Sequence, residues 1–122
     1  MLIIRQEQMD VLNAYMNDKF TQELAVHIAK DFPEACQKYS LDENNLRDFV
    51  QNGLARAKEM YGIDYKDDLT LFVECMVLLE PNFDQSDNFP WAKEILTDEK
   101  LNGAEKMEEI DQYMIFNLER PL

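Results

Sequence analysis

The sequence predicts an all-α fold, a single compact bundle of five or six helices in one domain over residues 1–122. Three observations predict it. The run from Leu69 to Leu79 is apolar except for Thr70 and Glu74, apolar residues elsewhere recur at three- and four-residue steps, and no stretch of four or more alternating residues makes a strand. A helix apolar on nearly every side has to be surrounded by other helices, so the segment of about 66–80 is expected as the buried central rod.

The elements follow in order. Met9, Leu12, Tyr15, Met16, Phe20, Leu24 and Ile28 mark one long helix from about Arg5 to Lys30, bent near Asn17. Asp31-Phe32-Pro33 ends it, because the residue before proline is steered out of helical geometry, and Pro33 suits the first turn of a short helix to Lys38. Ser40 and Glu43 have capping-box spacing and open a helix with Leu46, Phe49, Val50, Gly53, Leu54, Ala57 and Met60 on one stripe. Gly53 inside it implies a close helix neighbour, and Gly62 ends it in the left-handed conformation. Asp64 is expected to cap the central helix, with Asp67 and Asp68 at the positive end of its dipole. Pro81 stops that helix, a polar loop runs from Asn82 to Asn88, and Pro90 and Trp91 start a short helix through Leu96. Asn102 with Glu105 caps the last helix, whose inward residues are Met107, Ile110, Met114 or Ile115, and Leu118.

Charge narrows the function classes. The chain has 25 Asp and Glu against 12 Lys and Arg, a formal net charge of −13. Such a field repels nucleic acid and anionic membranes and speeds encounter with cationic proteins. It is uneven: between Ile63 and Asn88 stand seven acids and one base, Lys66. Cys36 and Cys75 lack CxxC spacing and are expected as buried, reduced thiols. No signal-peptide core opens the sequence and no apolar run approaches about 18 residues, which points to the cytoplasm.

Nothing in the sequence assembles catalytic chemistry, and no cofactor or metal is expected. His27 is the only histidine and has Glu23 and Asp31 four residues to either side, so it reads as a solvated or ion-paired group. The stretch Asp84-Gln85-Ser86-Asp87-Asn88 is oxygen-rich, yet Phe89 stands where a calcium loop needs its turn glycine and Ile95 where it needs its bidentate Glu. Glu108 and Glu109 are helix neighbours rather than groups facing across a cleft, and the three glycines are too scattered for a phosphate loop. What remains is an acidic, aromatic binding edge formed by Phe83, Asp84, Asp87, Phe89 and Trp91, extended by Tyr65, Asp67 and Asp68. The competing reading has the same aromatic residues plugging the end of the bundle.

Three strings also carry a resemblance: Phe32-Pro33-Glu34-Ala35-Cys36, Gly53-Leu54-Ala55-Arg56-Ala57-Lys58 leading to Tyr61-Gly62-Ile63, and Phe83-Asp84 followed by Pro90-Trp91-Ala92-Lys93-Glu94-Ile95-Leu96. Their order and spacing resemble small all-α bacterial proteins often encoded beside type VI secretion genes, near PAAR-tipped or related toxin effectors. The resemblance implies a protein that binds such an effector, as chaperone, adaptor or immunity protein, and brings no catalytic residue with it. A basic toxin surface would suit a partner of charge −13. The alternative is a self-associating scaffold or regulatory subunit whose acidity serves solubility.

Overall fold

The computed structural model describes residues 19–117, and over them the fold is all-α, with six helices and no strand among the described residues. Helix α1 occupies 19–31, followed by α2 (Pro33–Lys38), α3 (Leu46–Tyr61), α4 (Lys66–Leu78), α5 (Pro90–Leu96) and α6 (Gly103–Asn117). The expected helix between Arg5 and residue 18, its bend near Asn17, and Leu118 lie outside the described residues. The chain divides into two units, Met1–Gln51 and Asn52–Leu122, the division falling inside α3.

In the first unit Phe20, Leu24 and Ile28 of α1 are buried at the expected helical spacing, together with Leu46 and Val50 of α3. Helix α2 ends differently from expectation. Ser40 does not cap α3. It adopts a left-handed φ of 57°, while the Leu41 amide donates to the Cys36 carbonyl at 2.7 Å and the Ser40 amide to the Gln37 carbonyl at 3.3 Å. That is a Schellman ending with serine where glycine is usual. The reciprocal cap belongs to Asp42 and Asn45 instead: the Asn45 amide donates to Asp42 Oδ1 at 3.2 Å and the Asp42 amide to Asn45 Oδ1 at 2.7 Å. The short polar side chains simply serve the amides nearest to them.

In the second unit α6 packs on both α4 and α5. Leu69, Phe72, Val73, Cys75, Met76 and Val77 of α4 are buried, so this helix is covered on most of its sides, as its composition requires. Gly53 has the close neighbour it implied, since a Cβ there would lie 2.5 Å from Met76 Sδ. Gly62 turns the chain with φ 66°. Gly103 is pressed against that turn so closely that a Cβ would run into the Gly62 carbonyl. Asp64 does not cap α4; Tyr65 holds the N-cap position in extended geometry, with no side-chain hydrogen bond. The cap predicted for α6 forms, with the Asn102 amide donating to Glu105 Oε1 at 2.9 Å and the Glu105 amide to Asn102 Oδ1 at 2.8 Å. Met107, Ile110 and Met114 face inward.

Candidate protein-binding surface

Helix α4 stops at Leu78, three residues before Pro81, and the chain then runs through turns in which the Phe83 amide donates to the Glu80 carbonyl and the Gln85 amide to the Asn82 carbonyl. These turns fold the loop onto α3 and α4. Phe83 is fully buried, its ring centroid 5.1 Å from that of Phe72, and Asp84 is 1% exposed. Both were expected on the binding edge, and both belong instead to the interior.

The burial of Asp84 has a specific cause. Arg56 Nη2 lies 2.9 Å from Asp84 Oδ1, and the Tyr61 hydroxyl donates to Asp84 Oδ2 at 2.6 Å. Arg56 Nη2 also donates to the Pro81 carbonyl at 2.7 Å, so one guanidinium fastens both ends of the turn, and its Cζ lies 5.6 Å from the Phe72 ring centroid. The Asp84 Oδ1 contact is an ion pair without regular hydrogen-bond geometry, and Arg56 Nε is buried with no acceptor. A charge taken out of water is tolerable only with its counter-charge beside it, so Arg56 and Asp84 act as a unit. Burial, and then the hydrogen bond to Asp84 and its negative charge, push the Tyr61 phenol far above its ordinary range and keep it a hydrogen-bond donor. Lys106 Nζ reaches the Tyr61 carbonyl at 3.5 Å, tying α6 to the same corner.

With the loop pinned, its downstream half reaches the surface. Asp87 is exposed, and Phe89 and Trp91 are half-buried. The Trp91 ring stacks on Tyr113 of α6 with centroids 4.0 Å apart at 12°, and Phe89 meets Trp91 edge-on at 6.5 Å. Phe116, three residues beyond Tyr113 and therefore on the same side of α6, is 80% exposed. The result is an aromatic ridge, Phe89, Trp91, Tyr113 and Phe116, with the exposed acids Asp87, Glu94 and Glu109 on the segments that build it. The reading of these rings as a bundle plug accounts for the Trp91–Tyr113 stack but leaves Phe116 uncovered.

The other predicted site residues stand elsewhere. Tyr65, 43% exposed, and Asp67, exposed, lie at the N-terminus of α4, with Asp68 half-buried beside them. Desolvation, reinforced by the neighbouring charge of Asp67, raises the Asp68 carboxyl above its usual range. Tyr113, Phe116, Arg56 and Tyr61 were missed by the sequence reading of the site. Tyr113 and Phe116 fall off the apolar stripe of Met107, Ile110 and Met114, a signal that was present but read as surface. Arg56 is a base between Gly53 and Ala57 on the inner side of α3, which in so acidic a chain marks a counter-charge waiting for a carboxylate.

His27 Nδ1 lies 2.9 Å from Asp31 Oδ2, as its spacing suggested, and Cys36 and Cys75 are buried free thiols. Among the described residues no three His, Cys, Asp or Glu side chains are grouped to hold a metal ion, and no helix is long and apolar enough to cross a membrane. No protein-family model, curated protein or solved structure matches the chain.

Proposed function

We propose that the protein is a non-enzymatic, cytoplasmic binding protein that captures a basic type VI secretion toxin effector, as its chaperone or adaptor or as its immunity protein. The aromatic ridge of Phe89, Trp91, Tyr113 and Phe116 carries the reading, because stacked aromatic side chains at a surface are what interface hot spots are made of. Charge supports it: counted along the sequence, Asn52–Leu122 holds sixteen acids and seven bases, and with the acid Asp84 and the base Arg56 paired inside, the excess of nine acids remains elsewhere. An acidic field brings a cationic surface in quickly, and the rings then slow its departure. The effector class comes from the sequence resemblance.

The test is a pull-down with tagged protein from its native lysate at low and high salt, with captured proteins identified by mass spectrometry and then assayed against variants. One basic effector, held at low salt and weakened at high salt, is the expected result. Asp87→Lys should mainly slow its association and Trp91→Ala mainly speed its dissociation. If both variants fold and bind unchanged, the ridge is not the site. The exposure of Phe116 also favours a second reading, self-association through α6, and recovery of only the protein itself, with a dimer by light scattering, would select it.

A further inference from the structure

The first unit carries a surface of the opposite electrostatic sign. Ala25, Val26, Ala29 and Lys30 of α1 face Leu46 and Arg47 at the start of α3 across a groove of about 630 Å³, open to solvent along one side. Both walls repeat at helical spacing, since residues three and four apart share a helix face. The floor is apolar and Val26 is left 56% exposed, an uncovered branched aliphatic side chain. Lys30 and Arg47 stand on opposite walls against one acid, Glu43. They are two of the five bases among residues 1–51, in a chain of net charge −13. An anionic group repelled by the chain as a whole meets its complement here.

We propose that this groove binds the apolar face of an amphipathic helix from another protein, with acidic side chains flanking that face. The groove runs along α1 from residue 22 to residue 30, about 12 Å, which receives about two turns of helix. Its open side leaves an occupant half in water, which suits a helix with a polar back and does not suit a fatty chain. The apolar residues of the partner lie on Val26, Ala29 and Leu46, and its carboxylates reach Lys30 and Arg47. The groove stands independently of the effector-binding reading. Where both hold, the protein has two faces for two partners of opposite charge, as an adaptor requires and an immunity protein does not.

The experiment uses the full-length, isotope-labelled protein titrated with a synthetic helical peptide of about four turns, leucines on one face and glutamates beside them. A lysine-flanked version and decanoate are run in parallel. The expected result is saturable shifts of amide resonances at 22–30 and 43–47 with the glutamate peptide alone. Affinity should fall about tenfold in the double variant Lys30→Glu, Arg47→Glu, whose exposed positions leave the fold intact. Ala29→Trp should fill the groove and abolish binding, and Trp91→Ala should change nothing. Equal binding of both peptides, saturation by decanoate in place of the peptide, shifts confined to other residues, or no saturation at millimolar peptide would each overturn the proposal. A failed pull-down of a basic effector would leave this result standing, so the two readings fall separately.

Discussion

The turn joining α2 to α3 and the loop joining α4 to α5 are both rich in Asp and Asn, yet they are held by opposite means. In the first, Asp42 and Asn45 bond to amides two and three residues away, and Asn45 Nδ2 donates to the Ser40 carbonyl at 2.9 Å, all in contact with solvent. In the second, Asp84 turns inward to Arg56 and Tyr61 on α3, and burial makes the arrangement all-or-nothing. A local polar turn is assembled from independent pieces of about 1 kcal/mol each. A buried ion pair either stands complete or leaves a stranded charge.

Asp84→Ala gives the sharpest test of that difference. It should cost about 3–5 kcal/mol, because Arg56 is left in the interior without its counter-charge, and the denaturant midpoint reads the loss. A cost below about 1 kcal/mol would place the two loops in the same class. Tyr61→Phe removes only the neutral donor and should cost about 1–2 kcal/mol. In the exposed turn Asp42→Ala should lose about 1 kcal/mol, and a larger loss would show the turn to be less independent than its geometry implies. Ser40→Gly should raise stability by about 1 kcal/mol, since glycine adopts a φ of 57° without the Cβ clash.

Asp68 supplies the smallest effect and a different sign. Its carboxyl is raised by desolvation, so the folded state holds the proton more tightly than the unfolded state, and stability falls as pH rises above the model value of 3.8. Asp68→Asn should therefore stabilise at neutral pH by a few tenths of a kcal/mol after solvent screening, and by nothing in acid. A gain that persists unchanged below the carboxylate range would place its cause outside ionisation.

These contrasts also explain what the sequence could disclose. The helices were legible because apolar spacing and proline position act locally: Pro33 and Pro90 open α2 and α5, and Asn102 with Glu105 caps α6. The caps that failed, Ser40 and Asp64, were chosen from several nearby polar residues, and only the backbone path decides among such neighbours. Phe83 and Asp84 looked like surface because a polar loop ordinarily stays in water, and their burial depends on a residue on another helix. For the same reason the stack of Trp91 on Tyr113, 22 positions apart, was beyond any reading of spacing.

The two thiols divide themselves between the two units, Cys36 in Met1–Gln51 and Cys75 in Asn52–Leu122. Cys75 is fully shielded, with Met114 Sδ 3.4 Å from its sulfur, and Cys36 is 8% exposed with its thiol pushed up by burial. Neither reacts readily until its surroundings open, because the thiolate is the nucleophile and access limits it. Each unit thus contains its own native reporter of opening, and the labelling rate at each thiol, read peptide by peptide in the unmodified protein, would clock the two units separately as a partner is added.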